Sequence, residues 1–311
     1  MLLLVTLALA EAPLRVLAVE GEPTRDAPGA LRDPAKKPAW SVELVAVPAG
    51  SFLFGALPGE GRAEDPPARE VHVDAFWIAD VETPWGLFKQ FCAPTESAYW
   101  PEPGWTCPEA AKDGLPVAQL SWWEAAAFCN WLTLRTVGAA EQVYVFSGSG
   151  DSRTVEQHLE RKGYRMPTEI EWEWAARGGN KTAKYGSYDL PSWGCDYANT
   201  PTSSCMNGAA DVFSEASPVR PPADGKGAFK PNGWGLYQMS GNVQEWTTDV
   251  ELNAKNTALY VIKGGSWDLG PVSVGSGENV RKLDAGWVTY RLSDLPSRKR
   301  PDHGFRLART K

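Results

Sequence analysis

Two groups of side chains in this chain have the types and spacing that could do chemistry. The first is a set of hard oxygen donors. Asn199, Gln238 and Glu245 lie in irregular segments, with the backbone carbonyls of Thr200, Gly241 and Val243 close to them. Calcium takes about six to eight such oxygens, mixing carboxylate, amide and carbonyl in flexible geometry. The second group lies between Trp267 and Phe305. There Trp267, Asp268, Glu278, Arg281, Trp287, Tyr290 and Arg291 interleave aromatic rings with charges, and Arg298 and Arg300 follow. Aromatic and guanidinium groups on loops make a recognition surface through stacking and bidentate hydrogen bonds. A plainer role stands beside each. Asn242 and Glu245 can brace a turn centred on Trp246. Trp287 and Tyr290 can be core residues, and Arg291 and Arg306 can pin loops to carbonyls.

Other chemistries lack their residues. The chain has three histidines, His72, His158 and His303, and no two have the spacing of a non-haem iron triad. No Gly-x-Ser-x-Gly, phosphate-binding loop or dinucleotide fingerprint is present. Glu169, Glu171 and Glu173 gather on one helical stretch, where capping and a solvated face account for them better than acid–base work. Five cysteines suit an exported protein with two disulfides. Sequence neighbours in loops are the natural pairs, Cys92 with Cys107 and Cys195 with Cys205. Each bridge closes a loop of roughly ten to fifteen residues, worth about 3 kcal/mol in the loop-entropy picture. Cys129 sits on a helix face and reads as a small buried hydrophobe. No cysteine follows Cys205.

These residues need elements to hold them. Hydrophobic residues make up 43% of the 311 and charged residues 22%, an ordinary globular balance with room for a sizeable core. Fifteen tryptophans bury much area, and each buried indole N–H needs an acceptor. A net charge of −7 with no basic stripe argues against nucleic acid or an anionic membrane as partner. Met1–Ala10 is an apolar run too short to span a bilayer, and Ala8-Leu9-Ala10 suits signal-peptide cleavage. The run lacks a basic flank, and a buried first strand is the alternative. No other stretch is long and apolar enough for a transmembrane segment. Residues 11–40, rich in Pro, Ala and charge, read as a flexible linker, which leaves a domain over 41–311.

Val42–Gly55 reads as strand, turn, strand, and Val71–Ile78 as a third strand. Helices start at Thr83-Pro84 and at two capping boxes, Ser121–Glu124 and Thr168–Glu171. Gly178-Gly179 ends the last of them. Residues 137–163 look like an insertion carrying one hairpin. From 180 to 235 regular patterning fades, and Trp, Tyr and Cys content points to long ordered loops.

Five motifs in order carry a resemblance: Val-Pro-Ala-Gly-Ser-Phe at 47–52, Tyr-Arg-Met-Pro-Thr-Glu-Ile-Glu-Trp-Glu at 164–173, Gly-Leu-Tyr-Gln-Met-Ser-Gly-Asn-Val-Gln-Glu-Trp at 235–246, Gly-Gly-Ser-Trp at 264–267 and Gly-Phe-Arg at 304–306. Over roughly 41–310 the chain resembles the formylglycine-generating-enzyme (sulfatase-modifying-factor) family. The resemblance implies an α+β fold of C-type-lectin-like type, with little regular secondary structure and long ordered loops. It also implies structural calcium, through an Asn matching Asn199 and the tract Gln238–Glu245, although the family has Asn or Asp where this chain has Gln238. The family's oxidases place two copper-binding cysteines after Gly-Gly-Ser. Here Trp267-Asp268-Leu269 follows and no thiol does, so no copper is expected and formylglycine generation is disfavoured. What remains is a secreted or periplasmic member that binds a protein or small-molecule ligand in the cleft the final segment walls. The alternative is an oxidoreductase of different chemistry on the same scaffold, like the relative that matures a siderophore chromophore.

Overall fold

In the computed structural model, residues 14–17, 24–25, 41–56, 62, 65, 67–101, 105–107, 112–186, 230–269, 272–274 and 281–311 are described. The expected signal peptide, Asn199, Thr200, Cys195, Cys205 and Glu278 lie outside them.

The strands in chain order are β1 (Leu14–Leu17), β2 (Thr24–Arg25), β3 (Ser41–Val47), β4 (Gly50–Phe54), β5 (Arg69–Val73), β6 (Phe76–Ala79), β7 (Tyr144–Ser147), β8 (Thr154–Gln157) and β9 (Tyr164–Arg165). After a long interval follow β10 (Gln244–Leu252), β11 (Ala258–Lys263), β12 (Val272–Val274), β13 (Arg281–Leu283), β14 (Arg291–Asp294), β15 (His303–Gly304) and β16 (Ala308–Thr310). Three α-helices stand between them, α1 (Trp85–Phe91), α2 (Trp122–Thr136) and α3 (Glu169–Ala176). One sheet runs β2-β1-β3-β6-β16-β9 and a second β14-β11-β10-β15; β4–β5, β7–β8 and β12–β13 are separate pairs. Many short strands with few helices make this a mixed α and β architecture.

The end of the chain is central. β16 lies antiparallel between β6 and β9, so Phe305, Leu307 and Ala308 are fully buried. Phe305 meets Phe88 and Phe128 edge-on, at centroid distances of 6.4 and 5.6 Å. Burying one such ring contributes about 1.5–3 kcal/mol. Several buried tryptophans find the acceptors they need. Trp122 donates to the Thr247 carbonyl, Trp246 to Leu120 and Trp174 to Pro48.

Both capping boxes form as read: Ser121 with Glu124 opens α2, and Thr168 with Glu171 opens α3. α3 stops where Gly178 and Gly179 turn to positive φ, 56° and 92°. The Asn232 amide then donates to the Ala175 and Ala176 carbonyls, which the helix leaves open. A Cβ at Gly178 would come within 2.8 Å of the Asn232 side chain, so glycine serves both the turn and the cap.

Three expectations shift. α1 begins one residue late, with Pro84 as N-cap and no side-chain cap bond. The strand expected over 71–78 is two strands, because the chain leaves the β4–β5 hairpin at Asp74-Ala75 and joins the large sheet as β6. Alternation continues across the break, so only the change of partner reveals it. Within the expected linker, Leu14–Leu17 pairs with both β2 and β3. Its four residues, Leu-Arg-Val-Leu, are few enough to vanish into the Pro- and charge-rich average around them.

A fourth shift concerns α3. Glu169 and Glu173 are buried rather than solvated. Lys263, fully buried, lies 3.4 Å from Glu173 and 3.6 Å from Glu169. Arg177 reaches Glu173 at 2.8 Å and Arg291 reaches Glu169 at 2.9 Å. Two of these cations, Lys263 and Arg291, come from distant strands and Arg177 from the helix's own end, and periodicity within the helix carries no trace of the first two.

Candidate functional site: a cleft over the β10–β15 junction

β10 and β15 run parallel for two residues, pairing Gln244 with His303 and Glu245 with Gly304. Successive side chains of a strand point to opposite faces. Gln244 and His303 line a cavity of about 300 Å3, while Glu245 turns into the core.

The Gly-Gly-Ser-Trp turn closes the floor of this cavity. Gly264 and Gly265 hold φ of 98° and 67°. At Gly265 a Cβ would meet the Ala285 carbonyl at 2.5 Å. The turn drops Ser266 onto Asp302, its Oγ donating to Oδ2 at 2.6 Å, and the Gln244 amide donates to the same oxygen at 2.7 Å. The Gln244 backbone N–H donates to the Asp302 carbonyl at 2.7 Å. Asp302 is thus fixed by three bonds from neutral donors on two segments. Beside it, His303 is 2% exposed, packed edge-on at 5.1 Å from Trp246, with Nδ1 buried and no hydrogen-bond partner. Burial pushes its imidazole down to about 4, and the neighbouring Asp302 only partly offsets this. The ring is neutral at physiological pH.

Ile262, Leu269, Leu292 and Pro301 form the apolar walls, with Asp268, Ser293, Asp294 and Arg300 around them. Asp294 receives Arg300 Nε at 3.0 Å and has Arg298 at 3.6 Å. Lys299, between these arginines, reaches back to Glu124 at 2.8 Å. Glu124 also accepts from Trp105 and from the Ser121 backbone N–H. One buried carboxylate therefore joins this loop, the start of α2 and the loop closed by the Cys92–Cys107 disulfide, which forms as expected. Cys129 is a buried free thiol, and burial raises its pKa far above the ordinary value.

Behind the floor lies a sealed charge network. Glu245 accepts from Arg306 through both oxygens, each at 2.7 Å, and from the Trp172 indole at 2.7 Å. Arg306 also donates to the Ala79 and Tyr237 carbonyls at 3.0 Å, the loop-pinning role open to it in the sequence. Glu82 accepts from the Asn242 amide at 2.6 Å and from the Val243 backbone N–H at 3.0 Å. Burial, then repulsion from Glu245, pushes Glu82 up to about 8 against the pull of Arg306.

The residues expected to hold calcium fall in this network. Gln238, Gly241, Val243 and Glu245 are buried, and Gln238, Gly241 and Asn242 take positive φ. Among them, Glu245 has its charge matched by Arg306. Among the described residues no three His, Cys, Asp or Glu side chains gather as a metal site.

Of the residues expected to wall the cleft, Asp268 lines the cavity. Trp267, half-buried, donates its backbone N–H to the Asn242 carbonyl at 2.8 Å. Tyr290 is buried in a small apolar cluster with Leu283 and Ala285, and Trp287 packs on it. The Trp287 indole donates to the Tyr185 hydroxyl at 2.8 Å. Arg291 is committed to Glu169 and Glu251. For Arg281 the backbone in β13 is described and the side chain is not. Gln244, Ser266 and Asp302 are not singled out by residue type, and His303 is weighed only as an iron ligand. Their signal is position, inside or next to the Gly-Asn-Val, Gly-Gly-Ser and Gly-Phe-Arg motifs.

The profile of the sulfatase-modifying factor enzyme 1-like domain matches residues 31–311. The inactive C-alpha-formylglycine-generating enzyme 2 of Mus musculus is 28% identical over 312 aligned positions, covering 85% of each chain. Among solved structures, Treponema denticola variable protein 1 superposes with a TM-score of 0.63 at 23% identity, over 88% of this chain and 96% of its own. PvdO from Pseudomonas aeruginosa superposes with a TM-score of 0.57 at 23% identity, over 86% of this chain and 94% of its own.

Proposed function

This chain belongs to the sulfatase-modifying factor enzyme 1-like family, and from that premise we propose that it is a ligand-binding member without dithiolate oxidase chemistry, its ligand seated in the cleft over the β10–β15 junction. The observation that carries this is the cleft itself, an apolar-walled cavity of about 300 Å3 over a fixed polar floor. Small-molecule sites combine these features. After Gly-Gly-Ser the wall offers Leu269 rather than a thiol, and thiolate ligation of copper has no substitute there. The likeness to an inactive relative points the same way. We place the protein outside the cytoplasm, a location that the Cys92–Cys107 disulfide favours. No described helix is long and apolar enough to cross a membrane.

The fold reading we adopt is the C-type-lectin-like variant, in keeping with short elements and a buried chain end. Structural calcium belongs to the proposal on the family's account. Chelation is expected to lower the melting temperature, and an unchanged melting curve would remove calcium from it.

A neutral, buried imidazole beside the cavity favours a second reading, an oxidoreductase of different chemistry in which His303 accepts a proton. One experiment separates the two. A fragment set is titrated while the Gln244 side-chain amide and the backbone signals of 266–269 and 302–304 are followed by NMR. Saturable shifts that Leu269→Trp abolishes by filling the cavity support binding. Turnover of a bound fragment supports the enzyme. A set that leaves these signals still overturns the cleft assignment.

A further inference from the structure

The charges lining the cleft do not balance. Asp294 has Arg300 and Arg298. Asp302 and Asp268 form no ion pair with any described Lys, Arg or His. Asp302 is 6% exposed, and its two side-chain hydrogen bonds come from an amide and a hydroxyl. Such donors stabilise a carboxylate without cancelling its charge, and a buried charge left uncancelled is costly. The nearest candidate for a cation, His303, is held neutral by burial.

His303 supplies a second, independent observation. Its Nδ1 is buried beside the cavity with no partner. Orphaned polar atoms are rare in native interiors, and with the proton on Nε2 this nitrogen is an acceptor that a donor on a ligand would satisfy. The walls add a third constraint. Leu269, Leu292 and Pro301 stand over the acidic floor, so a ligand with a polar head needs an apolar stem.

We propose that the cleft binds an organic cation, a primary ammonium or guanidinium on an alkyl stem, with the nitrogen on Asp302 and the stem against Leu269, Leu292 and Pro301. This rests on the binding role proposed above. Asp302 is the specificity-determining residue, since it carries the charge that a neutral or anionic head would leave unmatched.

The test uses the full chain and four probes of similar size: n-butylammonium, n-butylguanidinium, n-butanol and butyrate. Binding is followed through the same cleft NMR signals. At least one cation is expected to bind about tenfold or more tightly than butanol, and butyrate is expected to leave the cleft unperturbed. Asp302→Asn keeps the shape and is expected to remove the preference for cations. Butanol or butyrate binding in the cleft as tightly as the cations would overturn the proposal while leaving the cleft a binding site. Silence from all four probes, alongside cleft shifts from other fragments, would overturn it too. Silence from every compound would overturn both proposals. The butanol comparison is made on the unaltered protein, so it decides even where Asp302→Asn fails to fold. Nα-acetyl-lysine amide and putrescine then separate a peptide side chain from a free diamine, and tight binding of either supports the proposal.

Discussion

Gln244 and Glu245 are adjacent on one strand and serve opposite regions. Glu245 enters a sealed network in which Arg306 cancels its charge and the remaining Arg306 donors go to carbonyls. Gln244 enters an open cleft in which Asp302 is hydrogen-bonded and left without a cation. The chain repeats this division at its end, where Asp302 and His303 face the cleft and Arg306 the network. Both regions hold buried carboxylates. They differ in the compensating charge: the first has it within the fold, and the second has none among the described residues. On the proposed function, polar groups in the network act on stability and those in the cleft on binding.

The sharpest way to break this contrast is to remove the network's cation. Arg306→Met strands the Glu245 carboxylate in the core and is expected to cost about 3–5 kcal/mol, read by urea denaturation. Pairing it with Glu245→Leu should recover part of the loss, because the stranded charge goes with it. Equal destabilisation of single and double variants would mean that Arg306 acts through its carbonyl bonds alone.

The network also has a pH signature. Glu82 is raised in the fold from 4.5 to about 8, so the folded state holds a proton that the unfolded chain releases. Its contribution is complete below pH 4.5 and disappears as pH rises to about 8. Stability is expected to fall across that window by an amount on the order of a few kcal/mol. Glu82→Gln should flatten the slope. A variant that keeps the wild-type slope would move the titration to another group.

The cleft should be more forgiving. Ser266→Ala removes one of two donors to Asp302 and is expected to cost about 1–2 kcal/mol, measured by thermal melting. A loss as large as that of Arg306→Met would show that the cleft floor is as structural as the network. The smallest effect belongs to the rim. Lys299 is 44% exposed, so Lys299→Met should cost no more than about 1 kcal/mol. It should still speed amide exchange in 296–301, and unchanged exchange would show that the tie to Glu124 does not hold the rim.

What could be read in the chain was local. Ser121 finds Glu124 and Thr168 finds Glu171 because one helical turn brings N-cap and N3 together, whatever surrounds them. Gly178-Gly179 stops α3 for a similarly short-range reason, and Cys92 pairs with Cys107 across only 15 positions. Motif order was enough for the family, and the missing thiols after Gly-Gly-Ser for the expectation that dithiolate oxidase chemistry is absent. The rest depended on contacts between distant segments. Ser266 and Asp302 meet across 36 positions, Glu124 and Lys299 across 175. Glu169 and Glu173 look like solvent-facing acids until Lys263 and Arg291 arrive from elsewhere. Local pattern fixes which backbone bonds a turn or helix end can make. Which carboxylate is sealed with a cation and which is left facing a cleft follows from how strands pair and which surfaces are buried together. That is settled only when β10, β15 and the Gly-Gly-Ser-Trp turn are assembled.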